Sequence, residues 1–184
     1  MSEQQNTLTL QGAKGLTVVK TIGFAVVLAA AAHVAIPLPG TPVPFTLQPM
    51  LVVMAGFWLA PRAAVASMVL YLLAGALGLP VWAPIGLPGA ARLIGPTGGY
   101  LLSYPVAAWV VAMLARRATR YPARVLAAIV GMAVIYAGGL AQLTILTGSL
   151  ATGVLLGVAP FAALDLAKSL IAAALVPRSA SPAP

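Results

Sequence analysis

Of the chain's 184 residues, 61% are hydrophobic and 7% charged; a soluble domain carries about 25% charged residues, so this chain cannot cover its own surface in water and takes the bilayer as its solvent. The formal net charge of +8 would serve nucleic acid only from a soluble basic face, and nothing here folds outside the membrane to supply one. Cysteine is absent, which excludes disulfides and thiolate sites, and a lone histidine leaves no expectation of a metal site.

The expected architecture is one all-α integral membrane domain, residues 1–184, with residues 1–19 a polar cytoplasmic tail and 177–184 a second, shorter one. Lys14 and Lys20 ahead of the apolar run Ile22–Ala35 also resemble a secretory signal. Further apolar segments follow, however, and this run is nearly long enough to cross by itself. Hydropathy gives six apolar runs, near 20–36, 47–60, 62–79, 99–115, 125–146 and 154–176. A transmembrane helix needs about 20 apolar residues, so the short second run could instead fuse with the third through Pro61.

Charge separates these alternatives. Six spans with both termini inside place Lys14, Lys20, Arg62, Arg116, Arg117, Arg120, Arg124 and Arg178 on the cytoplasmic side, with Arg92 alone in an outer loop. Fusing runs two and three moves the "RRATRYPAR" cluster outside. The positive-inside rule therefore favours six spans. The outer loops are then the proline-rich "PLPGTPVPFT" (37–46), the long "PVWAPIGLPGAARLIGPTG" (80–98) and the short "TGSLATG" (147–153).

The polar residues that remain need reasons. In the first run, Ala25 and Ala29 have the small-xxx-small spacing that lets helices approach closely in lipid; this face either packs internally or docks another membrane subunit. His33 reads as interfacial or as a helix contact. Thr46 and Gln48 open the second span and can line an outward-facing pocket. Phe45, Trp82 and Tyr100 offer flat apolar walls or interfacial anchors. Arg92 is either satisfied by headgroups or clamps a carboxylate through two parallel hydrogen bonds. "GPTGGY" (95–100) begins the fourth span, where free N–H groups favour an anion and Gly98 and Gly99 would admit it closely. It lacks the Gly-Lys-Ser/Thr ending of a nucleotide loop. Gln142 serves as interhelical glue or as pocket lining.

Asp165 and Lys168 lie in the apolar "FAALDLAKSL" (161–170). Three residues apart, they share a helix face and can pair. One charge at mid-bilayer costs about 2.5–3.5 kcal/mol on insertion scales, and pairing rarely makes two buried charges cheaper than two leucines. They are either a structural ion pair or the polar floor of a ligand pocket. The pocket reading is preferred, with a carboxylate to accept ligand N–H bonds and an ammonium to donate.

Taken together, "PVPFTLQ" ending at Gln48, "AGFWLAPRAAVASMVLYLLAGALGLPVW" (55–82), "GPTGGYLLSYPVAAWVVAML" (95–114) and "PFAALDLAKSLIAAAL" (160–175) resemble the BioY family, the biotin-specific substrate-binding components of energy-coupling-factor transporters. The resemblance implies six helices with cytoplasmic ends in a bacterial plasma membrane, and no enzymatic activity. It implies a biotin site near the outer surface built from Asp165, Lys168, Tyr100, Gly98, Gly99, Gln48 and Thr46. The chemistry of biotin suits its carboxylate to Arg92 and the start of the fourth span or, in the reverse pose, to Lys168, with Phe45 and Trp82 as flat apolar walls. Since the chain has no nucleotide motif, the resemblance supplies energy through partners: a transmembrane coupling subunit, docked on Ala25 and Ala29, and two ATP-binding subunits. No cofactor is expected. The competing readings are a capture subunit for another vitamin, an intramembrane enzyme using Asp165 and His33, and an assembly factor that binds no small molecule.

Overall fold

The computed structural model describes residues 2–176, with side chains from residue 15 onward; Arg178, the 177–184 tail and the Lys14 side chain lie outside the described residues. Every apolar run becomes helix. The first, α1, spans Ser2–His33, so the backbone of residues 2–19, expected as a tail, continues the helix. Helices α2 (Gln48–Trp58) and α3 (Pro61–Ala76) follow as separate elements, each with proline in its first turn. Pro61 enforces the separation. The residue before a proline is driven out of the helical region, and Ala60 is extended at φ −61° and ψ 149°.

The 37–46 loop is closed by a two-residue antiparallel ladder, β1 (Ala35–Ile36) with β2 (Phe45–Thr46). The 80–98 loop contains a single turn, α4 (Ala91–Ile94). Helices α5 (Gly98–Ala115) and α6 (Tyr121–Thr147) form the long central pair. Their backbones meet because neither residue at the crossing carries a side chain: a Cβ on Gly99 would lie 2.0 Å from the Gly138 carbonyl oxygen. Lower in the pair Gly131 admits Val111. Close contact through small residues is how helices associate where lipid removes the hydrophobic drive.

The sixth run, expected as one span from 154 to 176, is broken into α7 (Leu150–Gly157) and α8 (Ala162–Ala174), bent by 55°. Pro160 cannot donate to the helical ladder, and the turn between closes through Phe161 N–H to the Val158 carbonyl. The third outer loop is correspondingly shorter than expected, since Ser149 already caps α7 by accepting from Thr152 N–H. In α8 the buried residues Asp165, Lys168, Ser169, Ala172 and Ala173 recur at helical spacing, while Leu164, Leu166, Leu170 and Ile171 face outward.

Among the described residues, α1 from Gly15, α5 and α6 are each long and apolar enough to cross a membrane, and the bent α7–α8 pair makes a fourth candidate. Helix α2, at 11 residues, is about 16 Å long at 1.5 Å per residue. At one end of the molecule Arg124 is buried and donates from Nη1 to the Val176 carbonyl at 3.0 Å and from Nε to the Ala118 carbonyl at 3.2 Å. This ties the start of α6 to the end of α8, beside the exposed Arg116, Arg117 and Arg120.

Ala25 is buried in the main core and Ala29 packs against it, alongside Leu28 and Ala32. The small-residue face of α1 is therefore turned inward, chiefly onto α3. This corrects the expectation that Ala25 and Ala29 form a docking face: with so little bulk they are the residues that let α1 approach its own bundle. The outward face of α1 is carried by Val18, Val19, Ile22, Val26 and Val27.

Candidate functional site

A cavity of about 60 Å³ lies where the two long loops meet α2, α3 and α5. The first loop contributes Val43, Pro44 and Thr46, α2 contributes Gln48 and Pro49, and α3 contributes Tyr71. The second loop supplies Trp82, Ala83 and Arg92, and α5 with its N-terminal residue supplies Thr97, Tyr100, Leu101 and Tyr104. Thr46, Gln48, Trp82, Arg92 and Tyr100, all anticipated from the sequence, thus meet around one space.

Each is held by its neighbours. The Gln48 amide donates from Nε2 to the Tyr71 hydroxyl at 2.6 Å, and its Oε1 accepts from Thr46 Oγ1 at 3.4 Å. Thr46 Oγ1 also accepts from the Gln48 N–H at 3.3 Å, satisfying one free donor at the start of α2. Tyr100 sits in a notch made by two glycines. A Cβ on Gly139 would lie 2.1 Å from its Cζ, and its hydroxyl donates to the Gly157 carbonyl at 2.7 Å.

Arg92 is buried, and its guanidinium staples the second loop. Nε donates to the Leu87 carbonyl, and Nη2 to those of Ala83 and Ile85, each at 2.8 Å. The guanidinium carbon stands 5.8 Å from the centre of the Trp82 ring. Burial pulls its pKa below arginine's ordinary value, but guanidinium remains charged in proteins. Nη1 makes no hydrogen bond, and Arg92 forms no ion pair, among the described residues. A guanidinium with two N–H groups to spare can pair with an anion.

Asp165 and Lys168 are both buried and bonded to one another, Nζ to Oδ1 at 2.6 Å. The second Asp165 oxygen accepts from the Tyr136 hydroxyl at 2.5 Å. Lys168 also donates to the Thr46 carbonyl at 2.7 Å and stands 3.8 Å from the centre of the Phe45 ring. The pair does not line the cavity; it lies behind the first loop, and Thr46, which does line the cavity, forms the partition. Phe45 likewise faces Lys168 rather than the cavity.

Gly98 and Gly99 are also absent from the lining. A Cβ on Gly98 would strike the Leu93 carbonyl at 1.9 Å, and the flank of Gly99 is filled by Gly138 and Gln142. Their lack of a side chain serves helix and loop packing. Gln142 donates to the Ile94 carbonyl at 3.0 Å, joining α6 to α4. His33 is exposed, with Nδ1 2.8 Å from the Ala29 carbonyl of its own helix; it stands apart from Asp165. No group of three or more metal-ligating side chains occurs among the described residues.

The residues that sequence reasoning passed over are tyrosines. Tyr71, Tyr104 and Tyr136 lie within apolar runs, where a phenol hydroxyl needs a partner or a purpose. That requirement was the available signal. Tyr71 partners Gln48 and Tyr136 partners Asp165, whereas Tyr104 bonds to no protein group among the described residues.

The BioY family model matches residues 4–183. The chain is 34% identical over 155 residues to the biotin transporter BioY of Thermotoga maritima, covering 84% of this chain and 90% of that one. It is 38% identical over 137 residues to the probable biotin transporter BioY of Pyrococcus horikoshii, covering 74% and 80%. Its fold matches a crystal structure of the S-component for biotin from an ECF-type ABC transporter with a TM-score of 0.83, at 22% identity and over 90% of each chain. At that identity the structural match speaks for the fold, while the family match and the relatives speak for descent: the chain belongs to the BioY family.

Proposed function

We propose that this protein captures biotin from outside a bacterial cell and delivers it across the plasma membrane as the substrate-binding subunit of an energy-coupling-factor transporter. It is a transport protein and not an enzyme. The observation that carries the reading is the cavity at the meeting of the two long loops, with a spare guanidinium on one wall and the Asp165–Lys168 pair behind another, in a chain descended with the biotin transporters.

Biotin offers an apolar bicycle, a ureido group with two N–H donors and one acceptor, and a carboxylate tail. Trp82 and Leu101 give apolar wall to the bicycle, and Arg92 Nη1 takes the carboxylate. The ureido group goes to Asp165 and Lys168, its oxygen replacing the Thr46 carbonyl as acceptor for Nζ. A space of about 60 Å³ holds only a few waters, so the ligand enters as the 37–46 loop moves. Two bonds tie that loop to α8 and α7, Lys168 Nζ to the Thr46 carbonyl and Thr41 Oγ1 to the Leu156 carbonyl at 2.6 Å.

Six crossings with both termini cytoplasmic remain the topology that the arginines support. Arg62, Arg116, Arg117, Arg120 and Arg124 then share the inner side and Arg92 the outer. The short α2 crosses where protein rather than lipid surrounds it. Energy comes from a coupling subunit and two ATP-binding subunits, because the chain has no nucleotide motif. The coupling subunit meets the outward valine face of α1 rather than Ala25 and Ala29.

Uptake of labelled biotin into a biotin-auxotrophic bacterium tests the reading. Cells expressing this chain with a coupling module should accumulate label, and excess unlabelled biotin should abolish uptake where thiamine or riboflavin does not. Equal competition by another vitamin would assign a different substrate, and no uptake or binding at all would leave Asp165–Lys168 as a structural pair.

A further inference from the structure

We infer that the Tyr104 hydroxyl is a ligand-binding group, which together with Tyr71 and Arg92 forms a cluster of hydrogen-bond donors for the ligand's carboxylate. The inference rests on the biotin reading above and deepens it. Three observations carry it.

Tyr104 is 3% exposed and lines the cavity, and its hydroxyl has no protein partner among the described residues. Its oxygen is not among the fully enclosed unpartnered atoms, so it is reached from the cavity, and tyrosine placed in an apolar core ordinarily finds an acceptor. Phenylalanine would fill the same volume without a polar atom, so the oxygen answers to something that enters the cavity.

The second observation concerns direction. Tyr71 accepts from Gln48 Nε2, while the amide oxygen of Gln48 receives Thr46 Oγ1. With a lone pair occupied, Tyr71 has its own proton left to give. Arg92 lines the same cavity and has two further N–H groups, on Nη1, that bond to no protein group among the described residues. Third, no acidic side chain lines the cavity. The one described acid, Asp165, spends its two oxygens on Lys168 and Tyr136. Unspent phenol protons and an unpaired guanidinium, with no acid facing them, are complementary to an anion rather than to the N–H edge of a ureido group.

The test compares biotin with biotinol, in which CH₂OH replaces the carboxylate, by equilibrium binding to the full chain purified in detergent. Tyr104→Phe removes an oxygen that bonds to no protein group, so its thermal midpoint should match that of the parent. Its biotin affinity should fall about ten- to a hundredfold, the range of a hydrogen bond to a charged group, while its biotinol affinity changes by less than about threefold. Tyr71→Phe should show the same selective loss, and it keeps the ring volume if the first variant folds poorly.

Equal losses for the two ligands, no loss for biotin, or a lowered midpoint with unchanged binding in Tyr104→Phe would each overturn the inference while leaving biotin capture standing. A parent that binds neither ligand would overturn the biotin reading and the inference together.

Discussion

Gly139→Ala should be among the most damaging single-methyl additions to this protein, and its size can be worked from contacts. The new Cβ would lie 2.1 Å from Tyr100 Cζ, 2.2 Å from Cε1 and 2.3 Å from Cε2, all far inside van der Waals contact. The ring cannot simply slide away, because its hydroxyl is anchored to the Gly157 carbonyl at 2.7 Å. Gly157 is equally tight, since a Cβ there would lie 2.2 Å from the same hydroxyl oxygen. Overpacking a full core costs about 1–3 kcal/mol, and breaking the buried hydrogen bond adds about 1–3 kcal/mol. Helix propensity gives back about 0.8–1.0 kcal/mol, since alanine is a better helix former than glycine. The net is a destabilisation of about 1–5 kcal/mol. Thermal unfolding in detergent measures it, and labelled-biotin binding should weaken in parallel because Tyr100 is part of the cavity wall. Gly139→Ala combined with Tyr100→Leu should recover much of the stability but not the binding. A Gly139→Ala protein as stable as the parent, or more stable, would refute the claim that the notch at Gly139 and Gly157 exists to seat Tyr100.

Other residues make sharp predictions as well. Gly99→Ala should separate α5 from α6 and reduce folded yield by size-exclusion chromatography, because its Cβ would meet the backbone oxygen of Gly138, which has no rotamer to change. Tyr136→Phe should lower stability by about 1.5–3 kcal/mol, the worth of a hydrogen bond to a charged group, since it strips one donor from the buried Asp165 carboxylate; thermal unfolding reads this directly. Arg92→Lys should not substitute, because a single ammonium cannot reach the carbonyls of Ala83, Ile85 and Leu87 and still offer donors to a ligand. Limited proteolysis should then cut the 80–98 loop faster, and biotin affinity should drop.

Much of this was legible in the sequence for identifiable reasons. Pro49, Pro61 and Pro122 mark the starts of α2, α3 and α6 because proline suits the first helical turn, although Pro105 lies inside α5. The pairing of Asp165 with Lys168 followed from their spacing and from the cost of leaving either alone in lipid. Arg92 stood out because no other cation falls in an outer loop. What stayed hidden depends on tertiary contact. Pro160 in "VAPFAALD" permits a break in the last run, but nothing there gives its angle of 55°. Gly98 and Gly99 looked like an anion cradle, but a glycine needed for a neighbouring backbone and one needed for a ligand are written with the same letter. Ala25 and Ala29 posed the same ambiguity, since small-xxx-small spacing marks a close approach without naming the helix that approaches. The tyrosines were missed because each run was scored for apolarity, in which a phenol passes nearly as a phenylalanine.

The central claim is that the buried acid and base in α8 belong to a biotin site. Equilibrium binding of labelled biotin to the purified protein, beside Asp165→Asn and Lys168→Met variants shown to be folded, tests it most directly. The account predicts saturable binding by the parent and its loss in both folded variants. Saturable binding that survives in both would contradict it, leaving the pair as a structural clasp between α8 and the first loop.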